Sequence, residues 1–167
     1  MLKQEIELLK TFKENHPWRG DYNAKKKKFI CLLNELCKLH NLESPKLLIP
    51  KKRGRFQWCK SRHGDCWLKD KKIRLRNFSI ITLLHELKHW TEFNQNKNFK
   101  KLTRKEREWS AIYYSTSRFY SVWPERITHL EELRDNIKRV HHQEIKENYK
   151  ENPHLSALVG IILNDIN

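Results

Sequence analysis

A pentapeptide near the middle of the chain, His85-Glu86-Leu87-Lys88-His89, constrains it more than any other feature. It sits in an apolar, helix-forming run: Ile80, Ile81, Leu83, Leu84, Leu87, Trp90 and Phe93. Residues four apart on a helix lie one turn apart on the same face. His85 and His89 are therefore expected to point the same way, close enough to share one tetrahedral metal ion. Glu86 follows His85 directly and would lie beside that ion, within reach of a water bound to it. The chain has nine His and fifteen Glu, so about 0.04 chance matches to such a pattern are expected. The pattern also falls on the most hydrophobic helix of a very polar protein, where two His and a Glu are costly to bury without a task.

This spacing is the mechanical content of the zinc-protease motif. A catalytic zinc needs a third protein ligand and an open position for water. No His follows His89 until His129, and positions 92 and 95 hold Glu92 and Gln95. That argues against a layout with a third His close downstream. The short-range candidates are Glu92, Glu106 and Glu108. Glu92 lies one turn beyond His89, along the helix from the metal and not across from it. Glu106 and Glu108 follow the polar turn Asn94-Gln95-Asn96-Lys97-Asn98, where a returning antiparallel helix would present either one across a groove.

Over residues Ile80 to Ala111 the chain resembles the gluzincins, thermolysin-like and aminopeptidase-like zinc peptidases. They carry H-E-x-x-H and, on the next helix, a glutamate ligand. Here eighteen residues separate His89 from Glu108, and Glu108-Trp109-Ser110-Ala111 matches the E-x-x-A often found around that glutamate. Glu106-Arg107-Glu108 also looks like the E-R-E stretch of the small ImmA/IrrE-like gluzincins, which keeps Glu106 open as the ligand. Leu84 to Thr91 is similar to the H-E-L-x-H-W-T of zincin domains in antirestriction proteins. The resemblance implies a zinc metallopeptidase with Zn2+ on His85, His89 and Glu108. Glu86 would be the base that takes a proton from the attacking water and returns it to the leaving amine. The implied partner is a protein or peptide substrate.

Composition bounds the alternatives. With 167 residues, an apolar fraction of 38% and few Gly or Pro, a single helix-rich domain is expected and a β-sandwich is not. The net charge of +15 favours acidic partners, nucleic acid among them. It supports a second reading, a DNA-associated zincin (SprT-like or antirestriction-type), and a third, a non-enzymatic basic nucleic-acid-binding protein. No stretch reads as a signal peptide or a membrane span, so a cytoplasmic setting with reduced thiols is expected.

The expected fold is α+β, a minimal zincin with a three- to four-stranded mixed sheet. Residues 24–122 would form the catalytic core, and 124–167 C-terminal helices, within one domain spanning 1–167. Helices are read over 2–14, with Leu2, Ile6, Leu9 and Phe12 on one side, and over Lys25–Leu42, opening on four lysines. Strands are read at Leu47–Ile49, Phe56–Cys59, Cys66–Leu68 and Ile73–Leu75, with a turn over Ser61–Asp65 between the middle two. The helix that returns against the motif is read over Arg104–Val122, followed by a long charged helix over Glu125–Tyr149 and a short one over Pro153–Ile166. Cys59, His63 and Cys66, with Cys31 or Cys37, are weighed as a structural zinc site, against the blander reading of buried thiols. His129 and Tyr114 are weighed as donors to the transition state.

Overall fold

The computed structural model describes residues 2–51 and 64–129. The elements are α1 (Leu2–Glu14), α2 (Tyr22–Leu39), β1 (Lys46–Leu48), β2 (Gly64–Trp67), β3 (Lys72–Leu75), α3 (Ile80–Gln95) and α4 (Arg104–Val122). Short 3-10 turns cover Phe99–Lys101 and Pro124–His129. The class is α+β. β3 is the middle strand, parallel to β1 and antiparallel to β2. The expected strand at Phe56–Cys59 lies outside the described residues, as do the helices expected beyond residue 129. The long helix read from Glu125 begins instead as the 3-10 turn.

The motif helix α3 forms where its period requires. Ser79 caps it by accepting from the Thr82 amide. Ile80, Leu83, Leu84, Leu87 and Trp90 recur at helical spacing and are all buried. They meet Ile73 and Leu75 of β3, Phe29, Leu32, Leu33 and Leu36 of α2, and Leu9 and Phe12 of α1 in one core. β3 alternates: Ile73 and Leu75 are fully buried, while Arg74 between them faces the other way.

Three local readings are corrected. α2 starts at Tyr22, not Lys25, because the Asp21 carboxylate caps it, accepting from the Ala24 amide at 2.8 Å. It stops at Leu39, with His40 as its cap and Asn41 at a positive φ of 54°. Lys25 therefore closes the first turn and Lys26 to Lys28 lie past it, and the Lys28 ammonium donates to the Asn15 and His16 carbonyls at 3.2 and 3.1 Å, bracing the α1–α2 connection. In α1 the buried residues are Glu5, Leu9 and Phe12, while Leu2 is half exposed. Gly64 and Asp65 belong to β2 and not to a turn, because they pair with Leu75 and Arg74 of β3. Among the described residues no helix is long and apolar enough to cross a membrane.

Candidate metal centre

α4 begins with a capping box. The Thr103 hydroxyl accepts from the Glu106 amide, and the Glu106 carboxylate accepts from the Thr103 amide and hydroxyl, both at 2.7 Å. These bonds hold the Glu106 carboxyl below the usual range. Glu106 is therefore engaged at the helix start. Glu108, two residues on, crosses to α3. α4 runs antiparallel to α3: Ser110 bonds Glu92, and further along α4 Tyr114 lies beside Lys88, earlier on α3.

His85 and His89 face Glu108 across this interface. Their Nε2 atoms are 3.2 Å apart. Glu108 Oε2 lies 3.3 Å from His85 Nε2, and Glu108 Oε1 lies 3.6 Å from His89 Nε2. Among the described residues this is the group of three metal-ligating side chains able to hold one ion. The spacing fits a small tetrahedral ion. Zinc bonds to N and O ligands run about 2.0–2.1 Å, which makes the edge between two ligand atoms about 3.3 Å. Burial, then the neighbouring His85, pushes the His89 imidazole down to about 4, so it is neutral at pH 7 with a lone pair to offer. The hydrogen bond with His85 holds the Glu108 carboxyl low, against the opposing effect of burial.

Glu86 is 6% exposed and lines the same cleft. The cleft has a volume of about 640 Å³. β2 forms one wall with Gly64, Asp65 and Cys66; α4 forms the other with Arg104, Arg107 and Glu108. Gly64 is needed for closeness. A Cβ there would sit 2.7 Å from Thr82 Cγ2, 2.9 Å from Glu86 Oε1 and 3.1 Å from the Arg74 carbonyl. β2, the outer strand of the sheet among the described residues, thus passes directly against Glu86.

Other sequence candidates fall elsewhere. Glu92 is buried and accepts from the Ser110 hydroxyl and the Lys88 ammonium. Tyr114 donates to the Glu5 carboxylate at 2.7 Å and is buried away from the cleft lining. Cys59 and His63 lie outside the described residues. Cys66 lines the cleft, with its thiol pushed up by burial and by Glu86, and Cys37 is buried in the core, pushed up to about 11. His129 ends the last described turn.

Sequence reasoning missed a buried polar cluster. Glu5 of α1, with no solvent exposure, meets His40 at 2.6 Å, Tyr114 at 2.7 Å and Arg118 Nε at 2.6 Å. The signal was present, because Glu5 stands four residues before Leu9 on the inward face of α1. No family model, curated protein or solved structure matches the chain.

Proposed function

We propose that the protein is a zinc-dependent metallopeptidase of gluzincin type, akin to the ImmA/IrrE-like and antirestriction-associated zincins. The observation that carries this reading is the triangle of His85, His89 and Glu108, with edges of 3.2 to 3.6 Å beside a cleft-lining Glu86. The two imidazoles and the carboxylate would hold the ion. When bound, zinc supplies Lewis acidity, which acidifies water and polarises a carbonyl. Glu86, one residue from a ligand and shielded from bulk water, takes the proton of the attacking water. It then delivers that proton to the leaving amine nitrogen. β2, the outer strand among the described residues and a wall of the cleft, would offer its backbone to an extended peptide. The free thiols of Cys31, Cys37 and Cys66 suit a reducing, cytoplasmic compartment.

The test is Glu86→Gln. Elemental analysis should find one zinc per chain in both proteins, while hydrolysis of a peptide library falls at least about a hundredfold in the variant. Retained hydrolysis sinks the assignment of Glu86, and absence of zinc from the wild type after loading sinks the metal site. A second reading, a DNA-associated zincin, draws on the net charge of +15. It predicts DNA affinity that falls steeply with salt.

A further inference from the structure

We infer that the cleft selects acidic peptide segments, through Arg104 and Arg107 on its α4 wall. This deepens the peptidase reading and rests on it for the word substrate. Its physical basis is the two guanidiniums themselves. Both line the cleft that holds His85, Glu86 and His89. Neither forms an ion pair among the described residues. Arg107 is held in place by its position over the Phe99 ring, 4.9 Å from the centroid.

The placement of these cations is locally unfavourable. Arg104 and Arg107 fall within the first four residues of α4, where the helix dipole is positive and favours acids. Glu106, the one acid there, is occupied in the capping box.

The opposite wall is electrically quiet. Arg74 grips Asp65 with two bonds, Nε to Oδ1 at 2.8 Å and a terminal nitrogen to Oδ2 at 2.7 Å. Its guanidinium also lies 4.2 Å from the Trp67 ring centroid. A peptide paired along β2 therefore meets neutral surface on one side and two cations on the other. Within the cleft, Glu86 and Glu108 balance Arg104 and Arg107 in charge. A divalent ion on the triad would tip the whole cleft positive. A side-chain carboxylate pointing towards α4 finds forked donors suited to bidentate pairing. A polynucleotide would need a longer stripe of cations than the one pair that lines this pocket of about 640 Å³ among the described residues.

The test measures binding without turnover. Three fluorescein-labelled hexapeptides, identical except for a central Glu-Glu, Gln-Gln or Lys-Lys, are titrated by anisotropy into full-length Glu86→Gln protein, with and without zinc. The Glu-Glu peptide should bind about tenfold tighter than the Gln-Gln peptide, and Lys-Lys weakest. Adding Arg104→Gln and Arg107→Gln should reduce the preference to about twofold or less. Arg104→Glu alone, at an exposed position, serves as the second variant and should weaken Glu-Glu binding while improving Lys-Lys binding. Equal affinity for the Glu-Glu and Gln-Gln peptides overturns the inference, as does a preference that survives the double replacement. A single-stranded oligonucleotide of equal charge that outcompetes the Glu-Glu peptide through the same two arginines assigns them to phosphate instead. Unselective hydrolysis by the wild type would sink this inference alone. Acid-selective binding with no hydrolysis of any peptide would sink the peptidase reading alone.

Discussion

Replacing Glu5 with Gln tests the account of what holds α4 in place. The Glu5 carboxylate is fully buried and takes three partners: His40, Tyr114 and Arg118. The Arg118 side chain is 15% exposed, so its charge has little water to fall back on. Removing one member of a buried pair costs about 3–5 kcal/mol, because the other charge is left uncompensated. The Gln oxygen still accepts one bond, which returns about 1 kcal/mol. A net loss of about 2–4 kcal/mol follows. With a urea slope of about 1–3 kcal/mol/M, the unfolding midpoint should fall by at least about 0.7 M. Glu7→Gln is the control, since Glu7 pairs with Lys10 on the exposed face of the same helix. Its effect should stay within about 0.5 kcal/mol. Acid supplies a second check. Burial pushes the Glu5 carboxyl up, but the bonds from His40 and Tyr114 and the charge of Arg118 outweigh it, and the group titrates below its ordinary range. A depressed folded value stabilises the protein fully above the unfolded carboxyl's value of about 4.3, and that stability is lost as pH falls through the folded value. The gap between wild type and Glu5→Gln should be widest at neutral pH and close below about pH 4. A gap no larger than that of Glu7→Gln, or one that widens in acid, refutes the reasoning.

Two glutamates only two residues apart should behave oppositely. Glu108→Ala is expected to lose the metal, measured by elemental analysis, with little change in the stability of the metal-free protein, since its side chain is 44% exposed. Glu106→Ala is expected to keep the metal and lower the unfolding temperature, since it breaks the capping box. The reverse pattern would move the ligand to Glu106. Gly64→Ala forces a methyl group into Thr82 and Glu86, at an overpacking cost of about 1–3 kcal/mol. It should retain zinc yet lose at least about tenfold in peptide hydrolysis, because Glu86 is displaced. Full activity in that variant would separate β2 from the proposed role of Glu86.

α3 was legible because its apolar residues keep one period from Ile80 to Trp90 and Ser79 marks its start. The bounds of α4 agree with the reading of Arg104–Val122 for a similar reason. The start of α2 was not legible from the lysine run, since Asp21 and not the first lysine sets the boundary. The choice between Glu106 and Glu108 was open in sequence, although Thr103-x-x-Glu106 already had the form of a capping box. Reading it so assigns Glu106 to the helix start and leaves Glu108 for the cleft. The Glu5 cluster was hidden for another reason. Its members lie on α1, at the end of α2 and on α4, up to 113 residues apart, and periodicity reports only one element at a time. The cationic wall of the cleft was equally silent, because Arg104 and Arg107 look like any basic helix start until Phe99 and the metal triad are placed beside them.

The candidate metal centre is split between two helices, so its geometry depends on how α4 registers on α3. Apolar contact alone is a poor guide to register, because hydrophobic attraction is non-directional and a helix can shift with modest change in buried area. Directional bonds supply what packing lacks. The capping box fixes where α4 begins. At mid-interface Glu92 of α3, paired with Lys88 one turn earlier on the same helix, accepts from the Ser110 hydroxyl of α4. Tyr114 and Arg118 fasten the later turns of α4 to Glu5 on α1, and Gln95 at the end of α3 donates to the His40 carbonyl behind the same cluster. The capping box on one side and the bonds of Ser110, Tyr114 and Arg118 on the other flank Glu108 along α4. A shift of α4 by one residue would break the Ser110, Tyr114 and Arg118 bonds together and carry the carboxylate about 1.5 Å along the axis and 100° around it, away from both imidazoles. The bonds of Ser110, Tyr114 and Arg118 therefore act on the triangle of His85, His89 and Glu108 from a distance, and loosening any one of them should weaken metal retention before it unfolds the core.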